Sequence, residues 1–239
     1  MMKAIIYDFD GTLTPDLLPK FEILDKAGLE GGMYNPKFME MSTTKAKNEN
    51  LELFEAMILV ILDTMRNAGI KVTNDNLALG AATRSYNPGV EEFLRALQER
   101  GVDNYILSSG AKAYLEQTAI ASYFKSIYAS TLEYDNNGEV TGIELVMTAP
   151  QKARVLANIA TSVNGSEDDC SDVIYIGDGP TDLHAMEFIK AHGGKNILVY
   201  HDIDSDDVIK MREAEVVDNF VPADFRPGGE LWQLVFSMI

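Results

Sequence analysis

Two carboxylates one residue apart, Asp8 and Asp10, directly follow a short apolar run at residues 3–7. Gly11 then gives the backbone the freedom that a tight turn needs, and Thr12 follows it. If the chain turns here, both carboxylates face one cleft, where one can act as a nucleophile and the other as a general acid and base. Acidic residues and glycine are also common in ordinary turns, so this motif alone leaves a structural role open.

A second acidic loop, Gly-Asp-Gly-Pro-Thr-Asp at 177–182, follows another apolar run. Asp178 and Asp182 are four residues apart, so a helix that begins near Thr181 would keep both at its N-terminal end. Asp8 and Asp178 together could hold a hard cation through oxygen ligands. Mg²⁺ typically takes one or two carboxylates plus waters and substrate phosphate, whereas Ca²⁺ usually takes more protein oxygens. The pattern therefore favours magnesium.

Two further groups could bind the oxygens of a phosphate. Ser108 ends an apolar run, and its hydroxyl could act together with the backbone N–H groups of Ser109 and Gly110. Lys152 lies in the first turn of a predicted helix and offers a compact positive charge. A lone serine or lysine is usually structural or solvated. The order Asp-x-Asp, Ser, Lys, Gly-Asp-x-x-x-Asp is what indicates phosphoryl transfer.

These motifs need a scaffold that brings distant segments together. The predicted strands are 3–7, 104–107, 173–176 and 197–200, and the predicted helices are 90–100, about 150–162 and 181–191. Alternating strands and helices predict a three-layer α/β fold, Rossmann-like, with a mostly parallel sheet. In such sheets ligands bind outside the carboxyl ends of the strands, where the polar motifs lie. A hairpin is also predicted over 131–147, around an Asn-Gly pair.

Residues 15–86 contain no convincing strand and are too many for a simple crossover. We predict an inserted α-helical cap domain at 15–86 and a core domain formed by 1–14 and 87–239. Within the insertion, the stretch 51–65 repeats apolar residues on one helical face. That face is expected to pack in the core of the cap; a dimer surface or an apolar substrate wall are the other interpretations.

The composition limits the partners. The 239 residues carry a formal charge of −17, which disfavours nucleic acid and anionic membranes. Cys170 is the one cysteine, so an intramolecular disulfide and a multi-thiolate zinc site are excluded. The longest purely apolar run, 56–62, is far shorter than the roughly 20 residues of a membrane-spanning helix. We expect a soluble, cytoplasmic protein with no nucleic-acid or membrane partner.

The four ordered motifs resemble those of the haloacid dehalogenase (HAD) superfamily of phosphohydrolases, and they span residues 8–182. The helical insertion between the first and second motifs resembles the helical-cap branch, to which phosphoserine phosphatase belongs. The resemblance implies a HAD-like core with an inserted cap, a Mg²⁺ cofactor and a small phosphorylated metabolite as substrate. It also implies a phosphoric monoester hydrolase, present as a monomer or homodimer.

The resemblance also assigns roles. Asp8 would attack phosphorus and form an aspartyl-phosphate, while Asp10 would protonate the leaving alcohol and then activate water. Mg²⁺ would be held by Asp8, the backbone carbonyl of Asp10 and Asp178, with Asp182 supporting this metal site. The remaining implied contacts are with substrate phosphate, from Ser108, Lys152, Gly11, Thr12, Ser109 and Gly110.

The cap is expected to select the leaving group. Its candidate contacts are Tyr34, Lys45, Lys47, Arg66 and Arg84. Phosphoserine phosphatases carry a glutamate nine residues after the nucleophile, which reads the substrate amine, whereas this chain has Leu17 there. The resemblance therefore predicts a phosphomonoester without predicting phosphoserine.

Other functions use the same motifs. A phosphomutase or phosphotransferase differs only in whether a hydroxyl or water reaches the aspartyl-phosphate. A different class, a receiver-like domain, holds an aspartyl-phosphate for readout, but the early position of Asp8 and the long insertion are unusual for it. A non-catalytic phosphate-binding protein is a third alternative, although every catalytic position is intact. A dehalogenase is disfavoured by Asp10.

Overall fold

The computed structural model describes residues 2–15 and 35–239. Its core is a seven-stranded sheet in the order β4-β3-β2-β1-β5-β6-β7. The strands are β1 (Ala4–Tyr7), β2 (Asp103–Ala111), β3 (Ser126–Tyr134), β4 (Val140–Leu145), β5 (Val173–Gly177), β6 (Lys195–Tyr200) and β7 (Asn219–Pro222). Every neighbouring pair is parallel except β3 and β4, which form the predicted hairpin. The predicted α/β fold with a mostly parallel sheet is confirmed.

Helices cover both faces of the sheet. In chain order they are α1 (Pro36–Glu49), α2 (Leu53–Asn67), α3 (Asn74–Ala82), α4 (Val90–Gln98), α5 (Lys112–Leu115), α6 (Ala149–Asn164), α7 (Leu183–Ala191), α8 (Asp206–Glu213) and α9 (Glu230–Phe236). Alternate residues of β1 belong to different hydrophobic clusters. Ile5 and Tyr7 pack with α4 and α9, whereas Ala4 and Ile6 pack with α6 and α7. Because both faces are covered, the central strands read as unbroken apolar runs.

The described part of the insertion, 35–86, consists of α1, α2 and α3, with no strand assigned within it. The side chain of Asn35 caps α1 by accepting hydrogen bonds from the backbone N–H groups of Lys37 and Phe38. The rest of the insertion, with Leu17 and Tyr34, lies outside the described residues. Within 2–15 and 35–239, no helix is both long and apolar enough to cross a membrane.

The structure differs from the sequence prediction at several boundaries. β2 continues through Ser108 to Ala111, because the chain stays extended and pairs with Ser130 of β3 after a register shift. The predicted helix at 181–191 begins as a 3₁₀ turn over Pro180–Asp182, and α7 follows it. Strand β7 and the first half of β3 were not predicted, since both are short and mix polar with apolar residues.

Candidate active site

Three carboxylates converge at the carboxyl ends of the two central strands. β1 and β5 pair in parallel up to Tyr7 and Ile176, so the residues that follow them emerge side by side. The backbone N–H of Asp8 donates to the carbonyl of Ile176 at 3.0 Å, which extends this pairing. As a result, carboxylate oxygens of Asp8, Asp178 and Asp182 all lie within 4.8 Å of one another. Residues 170 positions apart in sequence thus form one acidic cluster.

The cluster places three acidic side chains close together in a buried site. Burial first, and the Asp182 carboxylate second, raise the pKa of Asp8 well above its ordinary value. The same two causes raise the pKa of Asp178 to about 8. The amine of Lys152 offsets part of this charge, since its Nζ lies 3.9 Å from Oδ1 of Asp8 and both side chains are buried. Carboxylate oxygens that repel one another when ionised form a donor set that fits a divalent cation such as Mg²⁺.

Asp182 shapes the loop that carries Asp178. Its Oδ2 accepts hydrogen bonds from the backbone N–H groups of Asp178 at 3.0 Å and Gly179 at 3.4 Å. Its Oδ1 accepts one from the hydroxyl of Tyr175 at 2.7 Å. A side chain at Gly177 would overlap the Asp182 carboxylate, so the loop requires glycine there. Asp182, which is fully buried, therefore holds the backbone from which the Asp178 side chain projects.

The turn after Asp8 closes against the same loop. The backbone N–H of Leu13 donates to the carbonyl of Phe9 at 2.9 Å, which folds the chain back on itself. Gly11 sits in the left-handed region with φ of 84°, and a Cβ there would overlap the Asp178 carboxylate. The hydroxyl of Thr12 donates to Oδ1 of Asp178 at 3.2 Å. Gly11 and Thr12 thus contact the acidic cluster directly.

Asp10 is held by a residue from the insertion. Nη2 of Arg84 lies 2.6 Å from Oδ1 of Asp10 and 2.7 Å from the hydroxyl oxygen of Thr14. Arg84 is buried, with 3% of its side chain exposed, whereas Asp10 is 22% exposed. Nearby, the side chain of Asn87 donates to the carbonyl of Thr12 at 2.7 Å. The two segments that connect insertion and core are therefore joined beside Asp10.

The Ser108 motif lies next to Asp10. The backbone N–H of Gly110 donates to Oγ of Ser108 at 3.0 Å, and a Cβ on Gly110 would lie 3.7 Å from Oδ2 of Asp10. Ser108 itself is buried. The hydroxyl of Ser109 donates instead to the carbonyl of Met147 at 3.1 Å. The side chain of Ser109 therefore holds the segment that follows β4, whereas that of Ser108 accepts from Gly110.

Comparison with known proteins places this arrangement in a family. The family model for haloacid dehalogenase-like hydrolases matches residues 5–187, which include all four motifs. The chain belongs to this family. The resemblance to the HAD superfamily is thereby confirmed.

Curated relatives match part of this HAD chain. The phosphoserine phosphatase of Mus musculus is 30% identical over 103 residues, which are 41% of this chain and 44% of that protein. The phosphoserine phosphatase of Rattus norvegicus is 27% identical over the same shares of the two chains. The matched segments thus span less than half the length of these relatives.

Solved structures match over nearly the whole chain. A HAD family hydrolase from Salmonella enterica serovar Typhi superposes with a TM-score of 0.67 at 19% identity, covering 98% of this chain and 70% of that one. A substrate-bound phosphoserine phosphatase superposes with a TM-score of 0.65 at 19% identity, covering 99% and 98%. At this identity the likeness establishes the fold, which is that of HAD enzymes.

The other described residues of the insertion that are candidate substrate contacts bond to groups outside the site or are exposed. Lys45 pairs with Glu49 at 2.9 Å and Asp63 at 3.2 Å. Arg66 donates through Nη2 to the carbonyls of Val140 at 2.9 Å and Thr141 at 2.8 Å. Lys47 is exposed on α1. Among the described candidates, Arg84 is the one with a contact to the HAD motifs.

Three contacts of the HAD site were not anticipated from sequence. They are the bond from Arg84 to Asp10, the bond from Asn87 to Thr12, and the bond from Tyr175 to Asp182. A usable signal exists for Tyr175, because a tyrosine in an otherwise aliphatic buried strand needs a partner for its hydroxyl. Arg84 and Asn87 give no comparable signal, since arginine and asparagine are ordinary at the end of a helix.

Proposed function

We propose that this HAD protein is a magnesium-dependent phosphatase that hydrolyses a small phosphomonoester through an aspartyl-phosphate on Asp8. The observation that supports this most directly is the meeting of Asp8 and Asp178 at the carboxyl ends of β1 and β5, with the amine of Lys152 3.9 Å from Asp8 and with Asp10 two residues further along the chain. An oxygen nucleophile, an acid/base group, a cation site and a phosphate-binding amine then surround one point. The relatives named phosphoserine phosphatase support the same reaction class.

The first step is attack by a carboxylate oxygen of Asp8 on phosphorus. A new P–O bond forms to Asp8 as the bond to the leaving alcohol oxygen breaks, and Asp10 supplies the proton that this oxygen needs. Oδ1 of Asp10 already accepts from the Arg84 guanidinium, which has donors only. The transferred proton is therefore carried by Oδ2, the oxygen nearer to Gly110.

The second step returns the enzyme to its starting state. Asp10, now a carboxylate, takes a proton from a water molecule whose oxygen attacks phosphorus. The bond between phosphorus and Asp8 breaks, and inorganic phosphate leaves. Ser108 and Lys152 bind the non-bridging oxygens in both steps, because negative charge is concentrated there in the transition state.

Asp8, Asp178 and the backbone carbonyl of Asp10 would hold Mg²⁺, with Asp182 fixing the Asp178 loop. When bound, the cation neutralises phosphate charge and polarises its oxygens. We propose that 1–14 and 87–239 form the catalytic core and that 15–86 form a cap that shields the site from water. A soluble, cytoplasmic enzyme acting on a phosphorylated metabolite, as a monomer or homodimer, is the setting we propose.

The test is release of phosphate from p-nitrophenyl phosphate with and without Mg²⁺, for the wild type and Asp8→Asn. The proposal expects magnesium-dependent turnover that Asp8→Asn abolishes. Asp103→Asn is the matched control, because Asp103 is the first residue of β2, at the end of the strand away from the site, and the variant should retain activity. Turnover that survives in Asp8→Asn would contradict the proposed nucleophile.

A second assay separates hydrolysis from the alternatives. Acetyl phosphate should phosphorylate Asp8, and the adduct should be cleaved by hydroxylamine. If the adduct forms and decays only when a second alcohol is added, the protein is a phosphotransferase. If it forms and persists in water with any acceptor, a receiver-like role replaces the phosphatase. If no adduct forms and no ester is hydrolysed, the phosphatase proposal is wrong.

A further inference from the structure

An apolar pocket opens beside Asp10, between the insertion and the core. The empty space between its walls measures about 720 Å³, including the open solvent at its mouth. Asp10 and Gly110 form the end nearest the proposed phosphoryl site, and Tyr114 and Leu132 belong to the core side. The pocket is therefore continuous with the place where the leaving oxygen of a bound phosphomonoester would be protonated.

The opposite wall is one face of α2. Phe54, Ile58 and Ile61 are spaced four and three residues apart, so they project from the same side of the helix into the pocket. All three are only half-buried, although each also packs against the main hydrophobic cluster. This apolar face is not fully covered by the described residues. A ligand that covers it gains the free energy of removing apolar surface from water.

The pocket offers little to a polar or charged group. Apart from Asp10, no charged side chain lines it among residues 2–15 and 35–239. Three cations adjoin lining residues in sequence, and each contacts another protein group: Lys71 lies 3.3 Å from Glu139, Lys112 lies 3.7 Å from Glu116, and Arg66 donates to backbone carbonyls. A substrate ammonium or carboxylate that entered would exchange its hydration for apolar contacts, which is unfavourable without a partner.

We infer that this pocket receives the leaving group of the substrate, and that this group is apolar: an alkyl or aryl alcohol rather than a phosphorylated amino acid or sugar. The inference rests on the proposed function, because the pocket is assigned through its contact with Asp10. It also gives an occupant to the apolar face of α2, which the described residues leave half-buried.

The test is a chain-length series of alkyl phosphates, from ethyl to hexyl, assayed with Mg²⁺. Burial of each added methylene should raise kcat/KM about fourfold, roughly 15-fold between butyl and hexyl phosphate. Phosphoserine, although larger than butyl phosphate, should be a poorer substrate by about tenfold or more, because its ammonium and carboxylate would lose hydration. A flat series, or phosphoserine as the better substrate, would overturn the inference.

A wall variant locates the effect. Ile61→Asn should reduce the gain per methylene, because it places an amide on the apolar wall. Ile209→Asn is the matched control, since Ile209 is 43% exposed on α8 and outside the pocket, and the gain per methylene should persist there. An unchanged series in Ile61→Asn would place the alkyl chain elsewhere and contradict this pocket.

Binding of alkylphosphonates with the same chain lengths separates the pocket proposal from the phosphatase proposal. These compounds keep the phosphorus head group but cannot be hydrolysed, and calorimetry with Mg²⁺ measures their affinity without turnover. Affinity that rises with chain length in a protein without phosphatase activity would support the pocket and reject the phosphatase. Phosphatase activity on acetyl phosphate, with no chain-length dependence in either series, would support the phosphatase and reject the pocket.

Discussion

Nη2 of Arg84 lies 2.6 Å from Oδ1 of Asp10, so a buried guanidinium from the insertion fixes the carboxylate proposed to move the proton. The same nitrogen bonds to Thr14, in the connection that leads out of the core. Arg84 thereby makes the orientation of Asp10 depend on how the insertion sits on the core. We assign it as a positioning residue.

The first prediction concerns this pair. Arg84→Gln should lower kcat for alkyl phosphates about 10- to 100-fold, the value of a hydrogen bond to a charged group. The substitution should lower kcat for acetyl phosphate much less, because acetate leaves without protonation. The measurement is the ratio of the two rates, which corrects for any misfolded fraction. Arg100→Gln, at the solvent-exposed end of α4, serves as control. Equal losses on both substrates would contradict a positioning role.

The second prediction concerns Gly177. Gly177→Ala should lower the free energy of unfolding by about 1–3 kcal/mol, because its Cβ would overlap the buried Asp182 carboxylate. Gly179→Ala, two residues further along, should change stability little. The nearest atom to its added Cβ would be the Cβ of Asp207, at 3.9 Å. Chemical denaturation of both variants measures the difference. Equal effects in the two variants would refute the packing argument.

The third prediction concerns pH and the metal. Burial and Asp182 raise the pKa of Asp178 from 3.8 to about 8 in the folded, metal-free protein. A carboxyl group that binds its proton more tightly in the folded than in the unfolded protein stabilises the fold below about pH 4. This stabilisation is lost as the pH rises to about 8. Added Mg²⁺ should therefore raise Tm more at pH 8 than at pH 5. Thermal unfolding at a series of pH values, with and without Mg²⁺, measures how the rise in Tm caused by Mg²⁺ depends on pH.

Asp178→Asn provides the control for that experiment. It removes the charge while keeping an oxygen that can accept from Thr12. The metal-free variant should be more stable than the wild type at pH 8, and Mg²⁺ should stabilise it less. If Mg²⁺ stabilises wild type and variant equally at pH 8, the cation does not bind at this cluster.

The fourth prediction concerns Cys170. The residue is fully buried, and burial raises the pKa of its thiol to about 11. The thiolate is the reactive form, so a disulfide reagent should not label the native protein at pH 8 and should label it completely in denaturant. Activity should likewise be unaffected by the reagent. Rapid labelling of the native protein would show that the helices around Cys170 open readily.

Much of this fold is readable from sequence because buried parallel strands are continuous apolar runs. β1 and β5 are the clearest cases, and their carboxyl ends predict that Asp8 and Asp178 meet. β2 extends past its prediction because Ser108 and Gly110 look like loop residues, while pairing with β3 keeps them extended. The partner of Asp10 is 74 residues away and comes from the insertion, so no local pattern indicates it.

The apolar face of α2 shows the same limit. Its helical periodicity predicts that Phe54 and Ile58 lie on one side, but not which surface that side meets. In the structure this side lines the pocket beside Asp10 and also packs against the main hydrophobic cluster. Local spacing determines a helical face, whereas its neighbour depends on contacts distant in sequence.

The hydrogen bonds from Arg66 to the carbonyls of Val140 and Thr141 tie α2 to the β3–β4 hairpin. The backbone N–H of Val140 also donates to the carbonyl of Val72 at 2.8 Å. Hydrogen bonds to the hairpin thus hold the insertion in addition to its two covalent connections and the bond from Arg84 to Asp10. A hinge at those connections alone would not free it. If the insertion moves to admit a bulky ligand, either these hydrogen bonds break or the sheet edge formed by β3 and β4 moves with it. Ligand entry would then be coupled to a strand that is distant in sequence from Asp8 and Asp10.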